Sequence, residues 1–231
     1  MIPQFIDLSH TIFDGLVTYK GLPAPLICDY ISREQSKANY DEGTTFQIGK
    51  IEMVTNTGTY IDCPFHRFEL GRDLSEIGLE QFADLEAITV DTRGVLAVGP
   101  DYFLDKEVRN KAVLIFTDWA RNWNTAGYFE SHPFLTAEAA AYLKDQRVKL
   151  VGIDSHNIDD TRVRTRPVHT TLLGADILIV EHLCNLGELP AFGYRFNAVP
   201  PKFKGAGTFP VRAYAKLETN AIAGSPKTRK L

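Results

Sequence analysis

The sequence predicts an α/β domain with a mixed central β-sheet, since patterns typical of buried strands alternate with helical ones. Residues 111–117 hold the unbroken apolar run Ala-Val-Leu-Ile-Phe, which is typical of a strand covered on both faces. Residues 148–154 and 175–180 carry two further runs of this kind. Between the first two runs, Thr136 is a good N-cap for the clearest helix of the chain, residues 137–144. Strand patterns outnumber helical ones and are interleaved with them, as a mixed α/β sheet requires.

Weaker patterns complete this prediction towards both ends of the chain. Residues 5–10 indicate a short first strand with a polar end, and residues 13–24 indicate an irregular loop punctuated by glycine and proline. Apolar and polar residues alternate from residue 44 onwards, which predicts a strand over residues 45–54 with a bulge near Gly49. Further expectations are a weak helical spacing over residues 73–82 and strands over residues 85–92 and 211–217.

The length and composition indicate one globular domain over residues 1–231. The 231 residues contain no Gly/Ser-rich or Pro-rich linker, no internal repeat and no block of like charge. An apolar fraction of 44% is sufficient for a sizeable core. The net charge is −4 and the basic residues are spread throughout. Nucleic acid is therefore not expected as the main partner, because a phosphate-binding face needs clustered basic residues.

The sequence shows no feature of a membrane or secreted protein. No stretch approaches the ~20 apolar residues that a membrane span needs, and residues 1–5 lack the basic region and long apolar run of a secretory signal. The three cysteines, Cys28, Cys63 and Cys184, are an odd number without C-x-x-C spacing, which fits reduced thiols. We therefore expect a cytoplasmic protein that has no membrane partner.

The most informative segment runs from residue 56 to residue 66 and reads Asn-Thr-Gly-Thr-Tyr-Ile-Asp-Cys-Pro-Phe-His. Asp62 and His66 stand around a proline among apolar neighbours, where a solvated loop would be richer in Ser, Lys and Glu. A core strand is not expected here either, because of that proline. Polar groups in such surroundings are costly to bury unless something binds them, which favours a functional site. The alternative is a tight turn with an Asx-type hydrogen bond from Asp62 and a satisfied His66.

Two more polar residues lie beside later strand patterns. His169 precedes the run Thr-Thr-Leu-Leu-Gly, and Glu181 ends the strand that follows it. Because ligands collect at the carboxyl ends of strands in α/β proteins, Asp62, His66, His169 and Glu181 form a candidate cluster. Two carboxylates and two imidazoles suit a divalent ion such as zinc or manganese. Taken singly, His169 also fits a capping role on a short helix, and Glu181 a salt bridge at a strand end.

A site of this kind would support hydrolysis without a nucleophilic serine. A bound ion lowers the pKa of its water toward ~7 and polarises a carbonyl, and a nearby histidine that is not a ligand acts as general acid and base. The G-x-S-x-G, P-loop, G-x-G-x-x-G and H-E-x-x-H motifs of other mechanisms are absent. Cys63 with His66 is an alternative nucleophile and base, although a free cysteine is usually a small buried hydrophobe.

These segments together resemble the cyclase-like metal-dependent hydrolases, a family that includes bacterial kynurenine formamidase and isatin hydrolase. The family pattern H-x-G-T-H-x-D-x-P-x-H matches residues 56–66 except at its first two histidines. The likeness extends in order and spacing over most of the chain. The other segments that carry it are Asp-Leu-Ser-His at residues 7–10, Ile-Phe-Thr-Asp-Trp at 115–119, Val-Gly-Ile-Asp-Ser at 151–155, residues 169–173 with 181–186, and Pro-Val-Arg-Ala at 210–213.

The resemblance implies an α/β fold of the swivelling β/β/α type and a homo-oligomer, either a homodimer or a homotetramer. Residue by residue, it implies that Asp62 is a metal ligand and that His169 and Glu181 bind the second metal position. It also implies that His66 transfers protons. The implied reaction is hydrolysis of a carbon–nitrogen bond in a small molecule, an aryl-formamide or a cyclic amide.

The two family histidines that hold the first metal are Asn56 and Tyr60 in this sequence. A neutral amide and a phenol with a pKa of about 10 are poor replacements for imidazole, and the remaining ligands are too few for tight zinc binding. Three outcomes follow. One ion binds through Asp62, His169 and Glu181; or a metal-free isomerase or lyase uses the tyrosine and His66 as donors; or the pocket binds small molecules without hydrolysing them.

The prediction therefore assigns catalytic roles to His66 and Tyr60. Asn56, Phe65 and Trp119 are expected to contact the substrate, the last two as part of an aromatic wall, and core packing is the alternative for each aromatic side chain. The predicted cofactor is a divalent metal, zinc or manganese, with one ion rather than two, or none.

Overall fold

The computed structural model describes residues 4–217. Residues 1–3, which belong to the segment considered above for a secretory signal, lie outside the described residues. The strands are β1 (Phe5–Asp7), β2 (Leu26–Ile31), β3 (Ile48–Glu52), β4 (Tyr60–Asp62), β5 (Leu85–Asp91), β6 (Ala97–Val98), β7 (Ala112–Phe116), β8 (Phe134–Leu135), β9 (Leu150–Ile153), β10 (Leu178–Glu181), β11 (Tyr194–Asn197), β12 (Thr208–Pro210) and β13 (Tyr214–Leu217). The α-helices are α1 (Arg33–Ser36), α2 (Ala137–Asp145) and α3 (Pro167–Leu173).

Nine strands of the described residues form one mixed sheet in the order β1-β13-β11-β5-β7-β9-β10-β4-β12. The middle strands β5, β7, β9 and β10 run parallel to one another, whereas the outer strands pair antiparallel. This arrangement confirms the α/β domain with a mixed central sheet. The strands β2 and β3 form a hairpin of their own, and β6 pairs with β8. Within residues 4–217 no helix has the length and hydropathy needed to cross a bilayer.

The parallel strands are apolar throughout because both faces of the sheet are covered. In β7, Leu114 packs into one buried cluster, whereas Val113 and Ile115 pack into the other. Successive side chains of a strand point to opposite faces, so this single strand contributes to both clusters. The second cluster includes Leu143 of α2 and Leu172 of α3, which cover that face of the sheet.

The predicted helix and the buried strands are confirmed. The Thr136 hydroxyl accepts a hydrogen bond from the backbone N–H of Ala139 at 3.2 Å, as expected of an N-cap. The third buried strand begins later than predicted, because the chain still turns after α3 and Asp176 adopts a left-handed conformation. The predicted strands over residues 85–92, 111–117, 148–154 and 175–180 correspond to β5, β7, β9 and β10.

Other sequence expectations differ from the structure. The alternating residues 45–54 yield only β3, whose side chains are all exposed because this strand pairs with β2 alone. The predicted irregularity near Gly49 is present as a register shift between Asp29 and Ile31 of β2, beside the pair of Asp29 with Gly49. The weak helical spacing over residues 73–82 gives no α-helix, but a short 3-10 turn at Leu79–Gln81.

Candidate active site

The strand β4 is a buried core strand, contrary to the expectation for residues 56–66. It ends at Asp62, and Pro64 begins the 3-10 turn Pro64–His66 that follows, so the proline does not interrupt the ladder. Ile61 points into the apolar cluster on one face of the sheet, whereas Tyr60 and Asp62 point to the opposite face. A strand this short can therefore carry two polar residues into one place.

The sheet register sets the partners of these two side chains. Tyr60 lies directly opposite Glu181 of β10, and Asp62 lies directly opposite Thr208 of β12. Opposed residues of neighbouring antiparallel strands are close enough to interact. The Tyr60 hydroxyl donates to Glu181 Oε2 at 2.5 Å, and the Thr208 hydroxyl donates to Asp62 Oδ1. The register alone thus brings one predicted catalytic residue and two predicted ligands together.

The helix α3 adds an imidazole above these carboxylates. His169 Nδ1 lies 2.6 Å from Asp159 Oδ2, and the same carboxylate accepts the backbone N–H groups of Val168 and His169. The hydrogen bond to Asp159 therefore fixes the orientation of the His169 ring. Its Nε2 atom lies 3.7 Å from Asp62 Oδ2 and 3.7 Å from Glu181 Oε1.

His66 stands at the mouth of the site with 34% of its side chain exposed. Its Nδ1 atom lies 2.8 Å from the hydroxyl oxygen of Thr208. That hydroxyl has one hydrogen, which it gives to Asp62, so it accepts from Nδ1–H and leaves Nε2 as the basic nitrogen. The turn carrying His66 also lies against Gly207, where a Cβ would collide with the His66 backbone. Glycine at that position therefore permits the close approach of the two segments.

Burial and charge act together on the ionisable groups of the site. Asp62 and Glu181 have at most 1% of their surface exposed. Burial raises the pKa of Glu181 to about 7, although the neighbouring His169 acts in the opposite direction. Burial lowers the pKa of His169, but the hydrogen bond to Asp159 and the charges of Asp62 and Glu181 outweigh it and raise that pKa to about 10. The raised pKa of His169 therefore reflects the carboxylates that surround its ring.

The donor set fits one divalent ion. Asp62 Oδ2 is buried and has no hydrogen-bond partner among the described residues, which marks an unused ligand atom aimed into the site. Among the described residues, the group whose ligand atoms all lie within 4.8 Å of one another is Asp62, His66 and His169, so that His66 stands in this group where Glu181 was predicted. Ligands at about 2.0–2.2 Å from a tetrahedral ion lie roughly 3.4 Å apart, close to the 3.7 Å separations between His169 Nε2 and the two carboxylates.

A second ion is not supported by the residues that replace the family histidines. The Tyr60 hydroxyl already occupies Glu181 Oε2 as a hydrogen-bond donor. Burial raises the pKa of Tyr60 well above its ordinary value near 10, so that the phenol stays neutral. Asn56 lines the cavity in front of the site and offers only an amide. These side chains are therefore equipped to donate and accept hydrogen bonds rather than to bind a metal.

The site opens into a cavity of about 320 Å³, and Phe65 and Trp119 do not line it. Phe65 packs against the apolar cluster of the sheet, and the Trp119 indole donates to the backbone oxygen of Tyr128 at 2.9 Å. The predicted aromatic wall is thus wrong for both residues, because local packing turns each ring away. The lining residues are Tyr19, Leu22, Asn56, Tyr60, His66, Arg67, Asn157, Arg166, His169 and Glu181.

A family model that covers two thirds of the chain identifies its family. The family model described as "Putative cyclase" matches residues 6–160. This chain belongs to the cyclase family. The matched range contains β4 and its turn, but it ends before α3 and β10, which supply His169 and Glu181.

Curated relatives and solved structures match the chain over nearly its whole length. It is 28% identical over 197 residues to kynurenine formamidase of Erythrobacter litoralis, covering 85% of this chain and 86% of the relative. It is 27% identical over 214 residues to kynurenine formamidase of Geobacillus thermodenitrificans, covering 92% and 97%. A solved structure described as a potential metal-dependent hydrolase with cyclase activity has a TM-score of 0.76 at 25% identity, covering 93% and 98%. Isatin hydrolase A from Ralstonia solanacearum has a TM-score of 0.78 at 23% identity, covering 94% and 92%. These likenesses confirm the cyclase-like fold.

Several residues of this cyclase-family site could not be predicted from the sequence, because no local pattern marks them. Thr208 contacts Asp62 only because β12 lies beside β4. The Tyr19 hydroxyl lies 3.0 Å from that of Tyr60, although residue 19 belongs to an irregular loop. Asp159 is the exception, because an acidic residue ten positions before His169 is the kind of partner that orients a metal-binding imidazole.

The cysteine alternative loses its chemical basis in the structure. Cys63 is buried, and burial raises the pKa of its thiol to about 12. A thiol with such a pKa is almost entirely protonated at neutral pH and is a weak nucleophile.

Proposed function

We propose that this protein is a hydrolase of the carbon–nitrogen bond in small aryl-formamides or cyclic amides. The observation that carries the proposal is that His66, His169 and Glu181 line a single cavity, with the buried Asp62 carboxylate 3.7 Å from each of the two imidazoles. The relatives named kynurenine formamidase and isatin hydrolase support this reaction class.

The proposed cofactor is one zinc or manganese ion held by Asp62, His169 and Glu181. An ion bound there would polarise the amide carbonyl and lower the pKa of a water molecule toward ~7. The protein's own contribution is to orient these ligands. Asp159 holds the His169 ring, and the backbone N–H of Ile158 donates to Glu181 Oε1 at 2.6 Å.

His66 is the proposed general acid and base. Its Nε2 atom takes the proton of the attacking water and later gives a proton to the leaving nitrogen. Thr208 keeps the ring in the required tautomer through Nδ1. The Tyr60 hydroxyl donates a hydrogen bond to Glu181 and thereby fixes that carboxylate. The phenol ring also narrows the cavity beside the reacting group.

Metal content and activity test this proposal together. Protein purified without chelator should contain about one zinc or manganese ion per chain and hydrolyse aryl-formamides, and Asp62→Ala should lose both. Asp91→Ala is the matched control, because Asp91 is an exposed carboxylate paired with Arg93, away from the cavity. His66→Ala should keep the ion but lower kcat about 10²-fold or more. Metal-free protein with no metal-stimulated hydrolysis of formamides, lactams or lactones would refute the proposal.

The second candidate is a metal-free family member, either an isomerase or lyase or a small-molecule binding protein. The hydrogen bond from Tyr60 to Glu181 favours it, because a phenol replaces a metal-binding imidazole there. Retained turnover after exhaustive chelation, lost in Tyr60→Phe and His66→Ala, would support this candidate over the hydrolase.

We also propose a homodimer or homotetramer in the cytoplasm. The hairpin β2–β3 supports the oligomer, because it exposes Tyr30 by 69% and Ile51 by 61% and pairs with no other strand of the described residues. Ile51→Lys should shift the sedimentation coefficient toward that of a monomer, whereas Lys50→Gln beside it should not. The free thiols of the three cysteines fit a reducing compartment, which cell fractionation would test.

A further inference from the structure

A second pocket adjoins the active-site cavity and is rich in arginine. It has a volume of about 810 Å³ and is built from the segment just before α3 and from the first turns of that helix. Arg67 and Arg166 line both this pocket and the catalytic cavity, so the two spaces are neighbours that share these side chains. The lining residues are Arg67, Arg164, Thr165, Arg166, Pro167, Thr170 and Thr171.

Two guanidinium groups of this pocket, those of Arg67 and Arg166, are held by hydrogen bonds without being neutralised. Arg166 Nη1 donates to the backbone oxygens of Val163 at 2.5 Å and Thr165 at 3.0 Å, and Arg67 Nε donates to the hydroxyl of Thr170 at 3.1 Å. These bonds leave Nη2 and Nε of Arg166 and both Nη atoms of Arg67 without partners among the described residues. Oriented donors with spare N–H groups are what a carboxylate or phosphate needs.

The neighbouring Arg162 shows what a neutralised arginine looks like in this segment. It forms two hydrogen bonds with the Asp160 carboxylate, from Nε and Nη2, each at 2.8 Å. Among residues 4–217, no salt bridge joins Arg67, Arg164 or Arg166 to a carboxylate. The positive charge of the pocket is therefore available to a ligand.

The two spaces differ in their acidic residues. Glu181 lines the catalytic cavity, whereas the outer pocket is lined by three arginines, three threonines and a proline and by no carboxylate. An anionic group is therefore attracted to the arginines of the outer pocket, whereas a neutral group is not. A molecule that carries an anionic group at one end and an amide at the other can place the first among the arginines and the second in the adjoining catalytic cavity.

We propose that Arg67, Arg164 and Arg166 form an anion subsite that binds a carboxylate carried by the amide substrate. This inference rests on the proposed hydrolase function and narrows its substrate class to anionic amides. The arginines fix the charged end, and the substrate spans from them to His66, which places the scissile bond beside the catalytic groups.

Matched substrates test the subsite in the metal-loaded enzyme. The probes are the three isomeric formamidobenzoates and their methyl esters, which differ only in charge. The wild-type enzyme should prefer at least one acid over its ester by about 10-fold or more in kcat/KM. Arg166→Gln and Arg67→Gln should each lower that acid-to-ester ratio by about 10- to 100-fold, mainly through KM. Arg162→Gln is the control and should leave the ratio and the activity unchanged. An equal preference for acids and esters in the wild type would overturn the proposal.

A binding measurement separates this inference from the proposed reaction. Calorimetry on the wild-type protein should give a Kd for 2-, 3- or 4-acetamidobenzoate about 10-fold or more below that of the methyl ester, with the difference lost in Arg166→Gln. If no formamide is hydrolysed but this difference persists, the hydrolase proposal fails and the anion subsite stands. If inorganic phosphate binds while acids and esters bind equally, the pocket takes a free anion and the subsite for a substrate carboxylate is refuted.

Discussion

Thr208→Val removes the one hydroxyl that joins a predicted metal ligand to the predicted acid–base residue. Valine has nearly the same shape as threonine, so the change deletes hydrogen bonds without opening a large cavity. The Thr208 hydroxyl donates to the buried Asp62 carboxylate and accepts from His66 Nδ1 at 2.8 Å. Asp62 Oδ2 already has no partner, so the variant leaves the whole carboxylate without a hydrogen-bond donor among the described residues.

The expected losses follow from these two bonds. A hydrogen bond to a charged group contributes about 1.5–3 kcal/mol, so the free energy of unfolding of the metal-free protein should fall by about 2 kcal/mol. Without Nδ1 held, His66 presents its basic Nε2 for a smaller fraction of the time. Since general acid–base catalysis is worth about 10²–10⁴-fold, we expect kcat to fall about 10- to 100-fold with KM nearly unchanged.

The assay combines urea unfolding with steady-state hydrolysis of an aryl-formamide. Thr208→Ser should restore kcat, because serine keeps the hydroxyl. Thr89→Val is a matched control: its hydroxyl pairs with that of Tyr194 at 2.7 Å, far from the cavity, so only stability should change. Unchanged kcat in Thr208→Val, or an equal fall of kcat in Thr89→Val, would refute the role assigned to this hydroxyl.

Three further predictions address packing and charge around the site. Tyr60→Phe should lower the free energy of unfolding by about 1–3 kcal/mol, because Glu181 Oε2 loses its 2.5 Å donor; equal melting temperatures would contradict this. Gly207→Ala should lower kcat by displacing the His66 backbone. Gly99→Ala is the control and should leave kcat unchanged, because its added Cβ would meet no atom within 4 Å and its φ of −85° suits alanine. Burial lowers the pKa of His156 to about 3 in the folded protein. Below pH ~6.5 the unfolded chain therefore binds a proton at His156 that the folded chain does not bind, so the free energy of unfolding falls on acidification. His156→Phe should flatten the loss between pH 6 and pH 4 by about 1.4 kcal/mol per pH unit in urea titrations, and an unaltered slope would exclude burial as the cause.

The central sheet could be predicted from the sequence because strands that are covered on both faces must be apolar throughout. Residues 111–117 could hardly form anything else, and Leu114 and Val113 occupy opposite clusters as such a strand requires. The alternation over residues 45–54 correctly predicted a strand, which is β3, but a local pattern cannot say whether a second layer will cover it. Strand β3 has no such layer among the described residues, and Ile51 stays exposed.

The sequence by itself determined the buried strands, the α2 helix and the polar residues of the segment that carries Asp62 and His66. Their types and order are local properties, which a linear pattern records. Only the tertiary structure decided that Thr208 would lie beside Asp62, that Phe65 would pack into the core, and that Arg67 and Arg166 would line the catalytic cavity. Those facts depend on which strands become neighbours and on how a turn rotates, and both are set by packing between segments far apart in the chain.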